Sequence, residues 1–379
     1  MMSTSEPMTP RERMHAAMSL AAPDRVPVMA QFSIGHMLLQ LGVSPAEFWN
    51  DAGVYVDGLF RMRDIYDFDG ILVSLHGHDP GWRSMITLQR ETPRGDEITW
   101  NDGSRTIYPP DDLPRHIPTP GAGGRPQRWE SDEIPAYIPV SQGLRFPIHA
   151  THLFDAIRET VRRSGGLFSV HGEVTSPFDY VLDRRGHQAA LMDLLTAPAS
   201  VKTELEIWTT KVSRLARDMC ATGVDAIKIS SPFAGAGFIS PECYREFVLP
   251  YEREVIRAIR GGGAKAYIHT CGAVADRLGL MISSGTDGIE CLDPPPLGNV
   301  ELREAFELIG GRCFVKGNVD SVNLLLQAAP DEVLADIRQR LEAGRNSPGF
   351  ILSTACSIAP GVRREQVMLL RKAVRENSR

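Results

Sequence analysis

The chain has 379 residues, of which 42% are hydrophobic and 23% are charged, and its formal net charge is -6. This composition is typical of a folded globular protein and excludes wholesale disorder, while the acidic balance leaves no basic stripe for a nucleic-acid partner. No stretch reaches the roughly 18 to 20 apolar residues of a membrane span, and the N-terminus has no signal-peptide pattern, so we expect a cytoplasmic protein without a membrane partner.

Short apolar runs rich in β-branched residues recur along the chain, separated by segments with helical periodicity. The runs begin at Val26, Phe68, Leu167, Val224, Lys265, Asp287, Cys313 and Phe350. Eight strands with helices between them predict an α/β fold, a (β/α)8 TIM barrel, and no G-x-G-x-x-G turn follows the first run as it would in a doubly wound sheet. We therefore expect residues 1–379 to form a single barrel domain.

The stretch from about residue 79 to residue 147 interrupts this alternation after the second predicted strand. It contains two alternating runs around Asp102 and Gly103, which predict a hairpin, followed by the Pro- and Gly-rich segment PTPGAGGRP. We interpret the stretch as an insertion folded over the barrel mouth, where it would act as a lid or as a docking surface for a partner.

Side chains capable of catalysis or metal binding stand at the ends of five predicted strands. In such a barrel the functional groups lie at the carboxyl ends of the strands, so these side chains should converge on one rim. They are His171 and Glu173 on the third strand, His269 and Cys271 on the fifth, Glu290 and Cys291 on the sixth, Asn318 and Asp320 on the seventh, and Cys356 on the eighth.

Four of these residues have the composition of a zinc shell. Zinc prefers cysteine sulfur and histidine nitrogen, accepts carboxylate oxygen, and usually takes four ligands. His269, Cys271, Glu290 and Cys356 offer two sulfurs, one nitrogen and one oxygen. Cysteines in a chain without an export signal are expected to stay reduced and available to a metal. The H-x-C pair alone fits packing in a βα loop as well as it fits metal binding.

A series of motifs in chain order extends beyond these residues. The motifs are RERMHAAMSLAAPDRVPV, GVDAIKIS, ISPECYREFVLPY, IHTCG, GTDGIECLD, VKGNVD and STACSIAP. In this combination the chain resembles the uroporphyrinogen decarboxylase superfamily, and within it the corrinoid-dependent branch that is similar to the methylcobalamin:coenzyme M methyltransferases. The resemblance covers nearly the whole chain and implies a TIM barrel with Zn²⁺ as cofactor and a corrinoid as methyl carrier.

Carried over residue by residue, the resemblance makes His269, Cys271 and Cys356 zinc ligands, with Glu290 as the fourth. Cys291 competes with Glu290 for that place. Because neighbours in a strand point to opposite faces, at most one of the two should face the metal. Glu290 is favoured, since a carboxylate can leave when a substrate thiol arrives. The other cysteines, Cys220, Cys243 and Cys313, are assigned to the core.

The resemblance implies a methyltransferase that moves a methyl group between a corrinoid and a second small molecule, such as a thiol or a methoxylated or methylated compound, in either direction. Zinc with two thiolates suits holding a thiol as its thiolate better than it suits activating water. The chain has no D-x-H-x-x-G motif, so the corrinoid would be bound to a separate protein or be free cobalamin. Whether the chain forms a homodimer is not decided by the sequence.

Further residues are weaker candidates for the same site. His171 and Glu173 could orient the substrate, although a histidine at a strand end is more often simply hydrogen-bonded. Asp320 could support the metal site or cap the following helix. For the corrinoid, the candidates are His76, His78 and Asn318.

Two rival functions fit the same superfamily. A decarboxylase of porphyrinogen acetates needs arginines to hold its substrate, whereas the segment VPVMAQFSIGHMLL at the first strand contains none. A non-catalytic barrel that binds a tetrapyrrole or corrinoid is the second rival, with the zinc in a purely structural role. A complete ligand set for zinc argues against it.

Overall fold

A computed structural model describes residues 7–119, 133–141 and 143–377. Its strands are β1 Gly70–Val73, β2 Ile86–Thr92, β3 Gly95–Trp100, β4 Arg105–Tyr108, β5 Arg115–Ile117, β6 Tyr137–Ser141, β7 Leu144–Pro147, β8 Ser169–Thr175, β9 Ala226–Ser230, β10 Lys265–Thr270, β11 Gly288–Cys291, β12 Phe314–Val319 and β13 Phe350–Thr354. Its α-helices are α1 Pro10–Met18, α2 Ile34–Leu41, α3 Pro45–Asn50, α4 Ala52–Tyr66, α5 Asp155–Ser164, α6 Pro177–Arg185, α7 His187–Thr196, α8 Pro198–Cys220, α9 Pro241–Phe247, α10 Leu249–Gly261, α11 Leu278–Ser283, α12 Leu302–Ile309, α13 Pro330–Ala343 and α14 Arg364–Asn377.

Seven strands form one parallel sheet in the order β1-β8-β9-β10-β11-β12-β13. The segment around Val28 joins the two edges of this sheet. The amide of Leu352 in β13 donates to the carbonyl of Pro27 at 2.9 Å, and the amide of Asp69, next to β1, donates to the carbonyl of Val28 at 2.8 Å. The ring is thereby closed, and the predicted (β/α)8 TIM barrel is confirmed.

The first predicted strand departs from the expected form. Around Val28 the chain makes a single parallel bridge to Leu352 and no regular strand. Pro27 has no amide hydrogen and cannot donate to a neighbouring strand, which shortens the ladder at this point. The other seven predicted strands are present, with ends that differ by a few residues.

The helices around the barrel bury one face each, which is why the strands beneath them can be apolar on both faces. Every residue of β12 and β13 is buried. Helix α14 shows the matching pattern, because its buried apolar residues recur at the spacing of helical turns. These residues are Val367, Leu370, Ala373 and Val374.

Helix α1 closes the amino-terminal end of the barrel. A capping box fixes its start, since the Glu12 amide donates to Thr9 Oγ1 and the Thr9 amide donates to the Glu12 carboxylate. Its Met14 and Met18 pack in a buried cluster with residues from the first halves of the strands, including Phe314. The opposite end, where the strands terminate, is left for the functional groups.

The chain between β1 and β8 forms the predicted hairpin. Strands β3 and β4 pair in antiparallel fashion, and Gly103 between them has φ +81°. With β2 and β5 they make a four-stranded sheet, and β6 and β7 make a separate two-stranded one. The segment PTPGAGGRP continues beyond Thr119 and from there lies outside the described residues. None of the helices in the described ranges combines the length and apolar character that crossing a membrane requires.

Candidate functional site

Four side chains meet at the carboxyl ends of β10, β11 and β13. Nε2 of His269 lies 3.3 Å from Sγ of Cys271, and that sulfur lies 3.8 Å from Sγ of Cys356. A ring nitrogen of His269 and the sulfurs of Cys271 and Cys291 all lie within 4.8 Å of one another. We refer to His269, Cys271, Cys291 and Cys356 as the His–Cys cluster. Its histidine is buried, while Cys271 and Cys356 are half-buried.

Two separations in this cluster match those expected between ligands of a single zinc ion. With Zn–S bonds of about 2.3 Å and Zn–N bonds of about 2.0 to 2.1 Å, tetrahedral angles put two sulfurs about 3.8 Å apart and a nitrogen and a sulfur about 3.5 Å apart. The corresponding separations in the cluster are 3.8 Å between Cys271 and Cys356 and 3.3 Å between His269 and Cys271. These two donor pairs therefore have the chemistry and the spacing of neighbouring zinc ligands, while Cys356 is not among the three donors, from His269, Cys271 and Cys291, that all lie within 4.8 Å of one another.

Glu290 meets the cluster from the other side of the histidine ring. Its Oε2 lies 2.9 Å from Nδ1 of His269, and its Oε1 accepts a hydrogen bond from Nζ of Lys316. Burial acts to raise the pKa of the Glu290 carboxyl, but Lys316 and His269 hold that pKa below its ordinary value. The geometry is that of a carboxylate that orients a ligating histidine through its second nitrogen.

Cys291 reaches the cluster because the backbone leaves the extended conformation there. Its φ is +83°, and that of Leu292 is +57°. The alternation of faces along a strand, which predicted a choice between Glu290 and Cys291, therefore does not apply to this pair. Both side chains lie at His269. The Cys291 thiol donates to Oδ2 of Asp293 at 3.2 Å.

Two buried lysines complete the barrel interior beneath the cluster. Nζ of Lys228 lies 3.0 Å from Glu173 and donates to Gln31 at 2.7 Å. Lys316 pairs with Glu290. Both lysine side chains are 0% exposed. Neither lysine was among the predicted site residues. A lysine inside an apolar strand signals a buried partner, and AIKIS and FVKGN each contain one.

A cavity of about 370 Å³ opens beside the cluster, and we call it the mouth cavity. Ser357, which directly follows Cys356, and Ser230, which pairs in register with His269, both line it. Residues of the chain between β1 and β8, such as Leu113 and Ile138, form part of its wall. The cavity thus lies between the His–Cys cluster and the segment that was expected to cover the barrel mouth.

The two candidate substrate-orienting residues occupy different positions. Glu173 lines the mouth cavity and is held by Lys228. His171 lies deeper, with Nδ1 3.1 Å from the Tyr267 hydroxyl and Nε2 3.0 Å from the Ser169 hydroxyl. Burial lowers the pKa of His171 to about 3. Its neutral, doubly hydrogen-bonded ring fits a packing role better than contact with a substrate.

The two histidines proposed for corrinoid contact are buried among aromatic rings. His78 packs against Tyr55 and Phe146, and His76 packs against Phe154. Neither ring nitrogen of either histidine has a hydrogen-bond partner in the described structure. Burial lowers the pKa of His76 to about 3 and that of His78 to about 4. Both are therefore neutral at pH 7, and neither is a lining residue of the mouth cavity.

The polar groups at the end of β12 bind the protein itself. Asn318 donates to the Leu292 carbonyl at 2.8 Å and accepts from Arg340. Asp320 accepts the backbone amides of Val322 and Asn323, each at 2.8 Å. Asp320 thus caps the turn that follows β12, whereas the helix that it was expected to cap does not begin until Pro330.

Comparison with known proteins gives relatives of two kinds. The chain is 25% identical over 206 residues to methylcobamide:CoM methyltransferase MtbA of Methanosarcina acetivorans, covering 54% of this chain and 58% of that one. It is 25% identical over 225 residues to a methylated-thiol–coenzyme M methyltransferase of Methanosarcina mazei, covering 58% and 57%. A uroporphyrinogen decarboxylase of Saccharopolyspora erythraea is 30% identical over 181 residues, covering 46% and 48%. The matched stretch is thus less than two thirds of each relative.

Among solved structures, a methyltransferase from Methanosarcina mazei has a TM-score of 0.73 at 19% identity, covering 98% of this chain and 99% of that one. At this identity the likeness shows the fold. The family model described as uroporphyrinogen decarboxylase (URO-D) matches residues 132–377. The resemblance predicted from the motifs is confirmed, and the chain belongs to the uroporphyrinogen decarboxylase (URO-D) family.

Proposed function

We propose that the protein is a zinc-dependent methyltransferase that moves a methyl group between a corrinoid and a small second substrate. The observation that carries the proposal is the His–Cys cluster, with its 3.8 Å sulfur–sulfur and 3.3 Å nitrogen–sulfur separations beside a cavity. The similar proteins named as methylcobamide:CoM and methylated-thiol–coenzyme M methyltransferases support it.

In this proposal the zinc ligands are His269 through Nε2, Cys271, Cys356 and Cys291. Cys291 replaces Glu290 as the expected fourth ligand, because both Glu290 oxygens already have partners on the far side of the histidine ring. When bound, zinc among these thiolates would stabilise a further thiol as its thiolate at neutral pH, and Cys291 would give up its place to that thiol so that the number of ligands stays at four.

The surrounding residues prepare the cluster for that role. Glu290 accepts a hydrogen bond from Nδ1–H of His269, so Nε2 keeps its lone pair for the metal. Lys316 balances the charge of Glu290, and Lys228 balances Glu173 at the cavity wall. Each buried charge of these two pairs has a partner before any substrate arrives, so the site requires little rearrangement.

The size of the mouth cavity supports a small second substrate. A volume of about 370 Å³ is at the lower end of ordinary ligand sites, which run from about 300 to 1,000 Å³. A corrinoid macrocycle would then approach from outside, either on a separate corrinoid protein or as free cobalamin. His76 and His78 pack among aromatic rings, and Asn318 is hydrogen-bonded within the protein. None of the three is assigned a contact with the corrinoid.

The decarboxylase alternative is less well supported by the cavity. Porphyrinogen substrates carry several carboxylates and need cationic side chains around them. Of the described residues that line the mouth cavity, none is a lysine or an arginine.

The direct test is a methyl-transfer assay with purified protein, methylcobalamin and a series of small thiols, read from the corrinoid absorbance and from the mass of the methylated thiol. Wild type and Cys243→Ser, which alters a cysteine outside the cluster, are expected to transfer the methyl group. Cys356→Ala is expected to lose the transfer. Full activity in Cys356→Ala, or no transfer involving any corrinoid, would refute the proposal.

A further inference from the structure

The wall of the mouth cavity combines several kinds of side chain, among them serines, aliphatic residues and His187. Carboxyl groups and aromatic rings line it, and no lysine or arginine is among its described lining residues. The carboxyl groups belong to Asp112, Glu173, Asp179 and Asp183, and the large rings belong to Phe32, Trp49 and Phe233. Aromatic faces together with carboxylates are the combination that recognises ammonium groups.

Three of the four wall carboxylates, Glu173, Asp183 and Asp112, have a cationic partner, whereas Asp179 has none among the described residues. Glu173 pairs with Lys228 at 3.0 Å, and Asp183 accepts from Nε of Arg145 at 2.7 Å. Asp179, on α6, is 4% exposed, and in the described structure neither of its oxygens has a hydrogen-bond partner. A buried carboxyl group that faces a cavity without a partner indicates that something else supplies the partner.

The surroundings of Asp179 disfavour an ionised carboxyl group that has no partner. Burial, and then the nearby carboxyl of Glu252, raise the pKa of Asp179 well above its ordinary value. The amide of Phe233 and the hydroxyl of Ser231 favour the ionised form, but neither is placed for a hydrogen bond. A cation in the cavity would offset the burial of this carboxylate, whereas an anion would be repelled by it.

We infer that the mouth cavity takes a small thiol or methyl thioether that carries an ammonium group, with Asp179 as the counter-ion of that group. The inference rests on the proposed methyl transfer and specifies its second substrate. The sulfur would lie toward Ser357 and Ser230, beside the cluster, and the ammonium group toward Asp179 and Phe233. Coenzyme M, which appears in the names of the relatives, is a thiol that carries a sulfonate. Its charged end is therefore negative, where the ligand inferred here is positive.

The chemistry balances in the direction of thiol methylation. The thiol loses its proton to solvent, and the sulfur electron pair forms the new S–CH₃ bond. The cobalt–carbon bond of the methylated corrinoid breaks, and its electron pair stays on cobalt, which is reduced from Co(III) to Co(I). The reverse direction transfers the methyl group from the thioether to the reduced corrinoid.

Three probes with the same two-carbon chain test the charge preference: 2-aminoethanethiol, 2-mercaptoethanol and 2-mercaptoethanesulfonate. Calorimetric binding to the wild-type protein is expected to be tightest for the ammonium thiol and weakest for the sulfonate. Tetramethylammonium, which has no thiol, is expected to compete with 2-aminoethanethiol, which separates binding in the cavity from binding to a metal. Equal or tighter binding of the sulfonate would overturn the inference.

Asp179→Asn keeps the shape of the side chain and removes its charge. It is expected to weaken binding of 2-aminoethanethiol about tenfold while leaving 2-mercaptoethanol unchanged. Asp64→Asn, at an exposed position on α4, is the control and should match the wild type. If the ratio of the dissociation constants of the two thiols is the same in Asp179→Asn as in the wild type, the inference is overturned.

The binding and transfer measurements can refute the cation site and the proposed function separately. Ammonium-selective binding that depends on Asp179, without methyl transfer, would uphold the cation site and refute the proposed function. Methyl transfer to all three thiols at equal rates would uphold the function and refute the cation site.

Discussion

Glu290 Oε2 lies 2.9 Å from Nδ1 of His269, while Sγ of Cys271 lies 3.3 Å from Nε2 of the same ring. The histidine thus has a carboxylate on one edge and a thiol on the other. This arrangement separates the residue that orients the ligand from those that would bind the metal, although Glu290 was expected to bind the metal itself.

Glu290→Gln should therefore weaken zinc binding without abolishing it. Outer-shell partners of ligating histidines typically contribute about 10- to 100-fold in metal affinity. Competition with a chromophoric chelator measures this, and Glu304→Gln on α12, at an exposed position, is the matched control. Complete loss of zinc from Glu290→Gln would instead identify the carboxylate as a ligand.

Lys316→Met should destabilise the protein strongly. It leaves the buried Glu290 carboxylate without its lysine, and breaking a buried ion pair in this way costs about 3 to 5 kcal/mol. Adding Glu290→Gln removes the stranded charge, so the double variant should be more stable than Lys316→Met alone. Urea unfolding gives the free energy of unfolding of each variant. If the loss in the double variant equals the sum of the losses in the two single variants, the energetic coupling between Lys316 and Glu290 is contradicted.

Because of Glu252, the stability of the protein should fall as the pH rises. Burial raises the pKa of Glu252 from 4.5 to about 7, so between these pH values the folded protein binds more protons than the unfolded chain. Its contribution to stability is therefore lost as the pH rises through this window, by about 3 kcal/mol in total.

Glu252→Gln removes this dependence and can still accept the hydrogen bond from the Tyr244 hydroxyl. Relative to the wild type, the variant should gain stability between pH 4.5 and pH 8, as measured by urea unfolding at each pH. If the difference in free energy of unfolding between Glu252→Gln and the wild type stays constant with pH, the raised pKa of Glu252 is refuted.

His76 acts in the opposite direction. Burial lowers its pKa from 6.5 to about 3, so below pH 6.5 the unfolded chain binds more protons than the folded protein. Stability is therefore lost as the pH falls, by about 2 kcal/mol at pH 5. His76→Phe should show a smaller drop in melting temperature from pH 7 to pH 5 than the wild type. His15→Gln, at an exposed position, is the control, and an equal drop in His76→Phe would count against the burial argument.

The sequence predicted the barrel and much of the cluster because both depend on local signals. Apolar runs identify strands, and the barrel brings strand ends together, so His269, Cys271 and Cys356 could be grouped before their distances were known. Strand alternation was expected to allow only one of Glu290 and Cys291 at the metal, and Glu290 was favoured because a carboxylate can leave when a thiol arrives. The positive φ at Cys291 and Leu292 has no local signal in these residue types.

Other parts of the site depend on long-range packing. The raised pKa of Asp179 on α6 arises from its burial and from the nearby carboxyl of Glu252 on α10, and the sequence does not reveal that the two groups are close. The composition of the mouth cavity likewise depends on how the chain between β1 and β8 folds back over the barrel. Lys316 could have been found, since a lysine inside a buried strand needs a charged partner.

Zinc K-edge X-ray absorption on the wild-type protein and on Cys291→Ser tests the central claim most directly. We predict one zinc per chain with three sulfur ligands and one nitrogen ligand in the wild type, and two sulfur ligands in Cys291→Ser. A wild-type protein without zinc, or with two sulfur ligands that persist in Cys291→Ser, would contradict this account.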